Sequence, residues 1–209
     1  MEEYHKIQSI FKRDEKTHKF IEGAYSLPEF EYLKSNVWEM TEKIDGTNVR
    51  VGWLPNDTGE YRLQFGGRTA NAQMPTFLLT RLQELFDSFD WAGQFPGGAV
   101  LYGEGYGAKI QKGGGNYISD GVDFILFDVK IDNWWLRRAD MEGIAQILGI
   151  KYVPLIGEGK LDDAIMGIKQ GIKSTFGDFL AEGLVLKPKI GLYSRNGHRV
   201  ITKLKHRDF

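Results

Sequence analysis

Residues 43–53 read Lys43-Ile44-Asp45-Gly46-Thr47-Asn48-Val49-Arg50-Val51-Gly52-Trp53, followed by Pro55-Asn56-Asp57-Thr58-Gly59 and then Tyr61-Arg62-Leu63-Gln64-Phe65. Val49, Val51 and Trp53 alternate with Asn48, Arg50 and Gly52, the two-residue period of a strand with one buried face. The segment from Pro55 to Gly59 has the composition of a turn, and Tyr61 to Arg68 reads as the next strand. Two strands joined so closely form a hairpin, which pairs them antiparallel.

Working outward, a strand is expected over residues 37–42, and others over 99–103 and 124–131. Pro75 followed by Phe77, Leu78, Leu82, Leu85, Phe86 and Phe89 predicts a helix with one apolar face, closed by the loop 93–98. Ile144, Ile147 and Leu148 share a face of a second helix over 140–148, and a third helix is expected over 161–170. Leu184-Val185-Leu186 returns to strand, as does the alternating stretch 200–205 after an Asn196-Gly197 turn. Strands joined by hairpins, with a few interposed helices, predict an α+β fold of mainly antiparallel sheets with flanking helices.

The 209 residues suffice for one core without disulfides or a structural metal. No repeat, linker or composition break marks a second domain, so one domain over 1–209 is expected. The 42% apolar content argues against disorder. No apolar run approaches the ~18 residues of a membrane span, and the first residues do not resemble a signal peptide. A soluble chain in a cytoplasmic setting is therefore expected, with no membrane partner. The absence of cysteine excludes disulfides, zinc thiolate sites and thiol nucleophiles. With 27 basic against 28 acidic residues, net charge predicts no general attraction to polyanions. Between Lys187 and Asp208, however, seven Lys and Arg face Asp208 alone, which reads either as a phosphate-facing strip or as an ordinary solvated strand.

Four groups of residues can carry chemistry. In Lys43-Ile44-Asp45-Gly46 the lysine stands at a strand end, where it can face a cleft or simply precede a surface turn. A Lys-x-Asp-Gly match arises by chance in roughly one chain in twenty of this length, so by itself it is a hint. Glu104 sits in Tyr102-Gly103-Glu104-Gly105, at the head of a stretch with seven glycines up to Gly121. Such glycines allow close backbone approach to a ligand, or a mobile loop. To this second group Phe127-Asp128 adds an aromatic-acid pair at a strand end, where phenylalanine is more often core. Glu182-Gly183 and Lys203-Leu204-Lys205 complete the set. Residues two apart in a strand share a face, so Lys203 and Lys205 point together while Val200, Thr202 and Leu204 face the other way. Two ammonium groups aimed into one cleft require an anion; the alternative is an edge strand that carries lysines against aggregation.

In order and spacing, Lys43-Ile44-Asp45-Gly46, Arg68, Glu104, Phe127-Asp128, Glu182-Gly183 and Lys203-x-Lys205 resemble motifs I, Ia, III, IIIa, IV and V of the covalent nucleotidyltransferases, the ATP- and NAD-dependent ligases and mRNA capping enzymes. More narrowly, Glu42-Lys43-Ile44-Asp45-Gly46-Thr47-Asn48, Arg68-Thr69, Ile110-Gln111-Lys112 and Arg195-Asn196-Gly197-His198-Arg199-Val200 are similar to the RNA ligase 2 family, the nick-sealing RNA ligases of phages and their relatives. The resemblance spans residues 37–209. It implies the ligase and capping-enzyme nucleotidyltransferase (adenylation) fold. It also implies an ATP-dependent RNA ligase that joins 5′-phosphate and 3′-hydroxyl RNA ends through lysyl-AMP and an RNA-adenylate, and it is compatible with a virus-encoded origin.

The same resemblance assigns roles. Lys43 becomes the nucleophile, with Lys203, Lys205 and Glu182 catalytic beside it. Glu42, Arg68, Glu104 and Phe127 join Lys43, Glu182, Lys203 and Lys205 in binding ATP, with Phe127 stacking on adenine and Glu104 on the ribose hydroxyls. Glu182 would hold Mg²⁺ or Mn²⁺, a hard cation that prefers oxygen ligands. Asp45 and Asn48 are supporting residues. Two departures stand out. Family members generally continue past motif V, so no C-terminal OB-type or helical domain is expected here and a partner protein could supply end-binding. The position two before the lysine, often basic in the family, is Thr41. The alternatives are a minimal DNA ligase or a capping guanylyltransferase, which share the lysine motif, and a non-catalytic nucleotide- or RNA-binding module.

Overall fold

The computed structural model describes residues 1–209. In chain order the strands are β1 (Gln8–Ser9), β2 (Phe11–Arg13), β3 (Phe20–Tyr25), β4 (Trp38–Lys43), β5 (Thr47–Pro55), β6 (Tyr61–Gly66), β7 (Ala99–Gly107), β8 (Val122–Ile131), β9 (Trp134–Trp135), β10 (Lys151–Tyr152), β11 (Leu155–Gly159), β12 (Gly183–Pro188) and β13 (Thr202–Lys205). The helices are α1 (Pro28–Tyr32), α2 (Thr76–Phe86), α3 (Trp91–Gln94), α4 (Arg138–Leu148) and α5 (Leu161–Gln170). No helix is long and apolar enough to cross a membrane. The chain forms two compact units: Met1–Tyr4 with Asp45–Val153, and His5–Ile44 with Pro154–Phe209.

The first unit is built on a sheet of order β10-β8-β7-β5-β6, with β9 also on β8. Its pairings are antiparallel except for β10, which runs parallel to β8. The expected β5–β6 hairpin is present, its turn closed by the Asn56 amide on the Glu60 carbonyl at 2.9 Å. Val49, Val51, Leu101, Phe124 and Leu126 of the sheet pack with Leu78, Leu82 and Phe86 of α2 and Met141 and Ala145 of α4. Phe77 is 43% exposed, because the 3.6-residue period turns it off the Leu78-Leu82-Phe86 line. Ile147 is likewise exposed, and the buried line of α4 runs through Met141 and Ala145. The loop expected over 93–98 begins as α3, whose Trp91 is buried in the core.

In-register neighbours share a face. Asn48 lies opposite Glu104, and Glu104 opposite Ile125; the next row is Arg50, Tyr102 and Asp128. Between these rows the ladder shifts, with Leu126 opposite Gly103 and Asp128 opposite Tyr102, so Phe127 is the extra residue of a β-bulge.

The second unit carries a sheet of order β1-β13-β12-β4-β11 and the small hairpin β2-β3. β4 alternates strictly: Trp38, Met40 and Glu42 are buried, while Glu39, Thr41 and Lys43 are partly exposed. Trp38, Met40, Leu184, Leu186 and Leu204 form a core with Phe30 of α1 and Leu161, Ala164 and Ile168 of α5. Leu204 is fully buried between Lys203 and Lys205, the orientation read from the sequence. The alternation holds only from Thr202; Val200 and Ile201 are both buried and precede the strand.

Candidate active site

Lys43, Gly183 and Lys205 are in register across β4, β12 and β13. The residue before Gly183, Glu182, reaches both lysines: Lys43 Nζ donates to Oε2 at 2.5 Å and Lys205 Nζ to Oε1 at 2.5 Å. A side chain in place of Gly183 would put its Cβ 1.9 Å from the Leu204 carbonyl oxygen, so glycine is what lets β12 approach β13 here. Burial pushes the Glu182 carboxyl up, but the two ammonium groups outweigh it and hold it below the usual carboxylate range. Glu182 is therefore ionised at neutral pH. The next row on the same face is Thr41, Val185 and Lys203.

Glu42 is adjacent to Lys43 in sequence but not in space. It lies on the opposite face of β4, is 1% exposed, and accepts hydrogen bonds from Ser174 Oγ at 2.5 Å, Thr175 N at 2.9 Å and Thr175 Oγ1 at 2.7 Å. The nucleotide-binding role expected for Glu42 is not supported by this placement, because its carboxylate is consumed in fastening residues 174–175 to the sheet. Strand alternation dictates this once Lys43 faces outward.

In the other unit, the turn after the lysine motif packs against β7. A Cβ at Gly46 would stand 2.3 Å from the Gly105 carbonyl oxygen and 2.7 Å from Glu104 Cγ. The Gly46 carbonyl accepts from Gln111 Nε2 at 3.1 Å, and the Asp45 amide donates to the Tyr117 hydroxyl at 3.2 Å. Asn48, opposite Glu104, has a buried Oδ1 that accepts no hydrogen bond from the protein. Arg68 is exposed just past the end of β6. Its backbone approach is held by Arg50, 2% exposed, whose Nε donates to the Gly67 carbonyl at 2.7 Å. The Phe127 ring meets Tyr4 edge-on, with centroids 5.0 Å apart, and Tyr4 in turn donates to Asp128 Oδ2 at 2.6 Å.

Three sets of residues were not anticipated from sequence: Ser174 and Thr175 behind Glu42, Tyr4 beside Phe127, and the basic residues of the first two dozen positions. None has a motif. The contacts join positions separated by more than a hundred residues in the first two sets. For a metal, the chain offers no group of three or more His, Asp or Glu ligands. Glu182 is ionised and is the one carboxylate among the two lysines it bridges, so it fits a hard cation that keeps most of its waters and replaces an ammonium contact, and does not fit an all-protein cage.

No protein with a curated description matches the sequence. Among solved structures, a Naegleria gruberi RNA ligase with PPi superposes with a TM-score of 0.64 at 21% identity, covering 85% of this chain and 52% of that one. A variant of the same enzyme with ATP and Mn gives 0.65 at 19% identity, over 96% and 55%. An archaeal ATP-dependent RNA ligase gives 0.62 at 19% identity, over 97% and 48%. At these identities the likeness is one of fold, and the chain spans about half the length of each relative. The family model for RNA ligase matches residues 36–205, which takes in Lys43, Arg68, Glu104, Phe127, Glu182, Lys203 and Lys205. The chain belongs to the RNA ligase family.

Proposed function

We propose that this chain is a nucleotidyltransferase domain spanning residues 1–209, which takes AMP from ATP onto Lys43 and passes it to an RNA 5′-phosphate so that a 3′-hydroxyl can be joined there. The observation that carries the reading is the three-strand row Lys43-Gly183-Lys205 with Glu182 bridging both lysines. A structural surface lysine has no need of a second, half-buried lysine on the same carboxylate. Family membership and the complexes of the Naegleria enzyme with ATP and Mn and with PPi support the same chemistry.

In the first step, neutral Lys43 Nζ attacks the α-phosphorus; the new P–N bond forms as the bond from that phosphorus to the bridging oxygen breaks, and PPi leaves. Glu182 Oε2, 2.5 Å from Nζ, is within reach of the proton that Nζ must lose. Lys205 and Lys203 are the cations placed to stabilise charge on the phosphates. A divalent cation held by Glu182 would neutralise further phosphate charge when bound. In the second step an RNA 5′-phosphate oxygen attacks the lysyl-AMP phosphorus and Lys43 is restored; in the third the 3′-hydroxyl displaces AMP. Glu104 and Phe127 are assigned to the ribose and adenine and Arg68 to the ribose and phosphate region, with Glu42 as a positioning residue.

Incubation with α-labelled ATP and Mg²⁺ or Mn²⁺ should label the protein covalently, and Lys43→Ala should abolish the label. Label persisting in that variant would overturn the assignment. Preferential labelling by GTP would replace the ligase reading with a capping one.

A further inference from the structure

A cleft of about 700 Å³ in the second unit lies where the N-terminal strands meet β13. Seven of its fifteen lining residues are Lys or Arg, against one carboxylate, Asp208. That carboxylate is saturated: Arg13 grips both of its oxygens, at 2.8 and 2.6 Å. Lys6, Lys12 and Arg207 line the same cleft, are exposed, and form no ion pair with Asp or Glu. In a chain whose net charge is −1, this is a strong local excess.

The cleft is built, not frayed. Ser9 pairs with Lys203, the Ile10 amide donates to the Lys203 carbonyl at 3.2 Å, and Thr202 Oγ1 donates to the Gln8 carbonyl at 3.0 Å. Lys19 Nζ ties the far wall to the Arg207 and Phe209 carbonyls at 2.8 and 2.6 Å. The N-terminal wall lies outside residues 36–205, the region matched by the family. Lys205 belongs both to the cleft and to the Glu182 bridge, so the cleft opens beside Lys43's partner.

We infer that this cleft receives the sugar-phosphate backbone of the RNA strand, with Lys6, Lys12 and Arg207 contacting successive phosphates beyond the reacting one. The inference rests on the RNA ligase reading and gives it a binding surface. Lys203 and Lys205 point the same way about 6.6 Å apart along the strand, and Arg207, in the turn that follows β13, lines the same cleft. One phosphate does not span that row; the phosphates of one strand do.

The test uses the full chain, with fluorescence anisotropy on a short 5′-phosphorylated oligouridylate across a salt series. Lys6→Ala/Lys12→Ala should raise Kd about tenfold and reduce the slope of log K against log salt by about 1.4, two phosphate contacts at ~0.7 each on a single strand. Lys6→Glu/Lys12→Glu should weaken binding further. An unchanged Kd and slope in the double alanine variant would overturn the inference. So would a variant that loses affinity for inorganic tripolyphosphate while binding RNA as before, since the cleft would then hold free polyphosphate. Self-labelling with ATP on the same preparations separates the two readings. A wild-type chain that labels Lys43 but binds RNA independently of Lys6 and Lys12 refutes only the cleft; one that never labels refutes the ligase reading, and the inference falls with it.

Discussion

Glu182 answers to two ammonium groups at once, and that makes it the most sensitive residue of the site. Its depressed pKa means that the carboxylate's stabilising contribution is fully present above the ordinary glutamate value, ~4.3, and is lost as pH falls through the lower folded value. Melting temperature should therefore drop more steeply below about pH 4 in the wild type than in Glu182→Gln, measured by circular dichroism. Equal pH dependence would mean that Glu182 is not held by Lys43 and Lys205 in solution. At neutral pH the same Glu182→Gln change should cut self-labelling by about 10²-fold without unfolding the chain. Glu42, one residue from the proposed nucleophile, should behave oppositely. Glu42→Ala removes three hydrogen bonds to a buried carboxylate and should cost about 2–4 kcal/mol of stability, read from urea unfolding. Lys43→Ala, which leaves Glu182 paired with Lys205, should cost much less. The contrast also shows what the sequence could tell. That Lys43, Glu182 and Lys205 come together was legible because strand period and motif order both point at them, whereas the placement of Glu42 was not, because a neighbour in the chain is on the other face of a strand.

Elements place these residues through close backbone approach. β12 and β13 meet with no room for a side chain at Gly183, so Gly183→Ala must push them apart, at about 1–3 kcal/mol, and should impair labelling by displacing Lys205 from Glu182. Leu204→Ala, on the buried face of the same β13, should cost about 2–5 kcal/mol; a melting temperature unchanged in either variant would contradict the packing described for β12 and β13. The long elements were legible in advance: α5 falls on its expected residues, and the β5–β6 hairpin is where the alternation and turn placed it. The short ones were not. β1 and β2 are two and three residues long, too short for any period to register. The cations of residues 6–19 are also interleaved with Asp14 and Glu15, so no charge run betrays the cleft that they help to line.

At the scale of the molecule, the second unit is a discontinuous one. Its sheet is made from residues on either side of 45–153, and that intervening segment has its own sheet and core. A fragment of residues 45–153 should thus fold alone with a cooperative melt. It should be less stable than in the intact chain, because the Tyr4 contacts to Phe127 and Asp128 are missing. A fragment of residues 154–209 should show no cooperative transition, because β11 and β12 both pair with β4 and β1 pairs with β13. A cooperative melt of the latter fragment would contradict the pairing.

The same interruption governs when the site can exist during synthesis. Lys43 leaves the ribosome long before Glu182, which follows 139 residues later, a delay of roughly 7–28 s at ~5–20 residues/s. Until then β4 has none of its three-strand row, while the intervening segment can already collapse on its own local hairpins. Lys43, the proposed nucleophile, is therefore among the first chemical groups made and among the last to be armed. A nascent chain interrupted before β12 carries a lysine with neither its bridging carboxylate nor its partner ammonium, so incomplete products should not capture AMP.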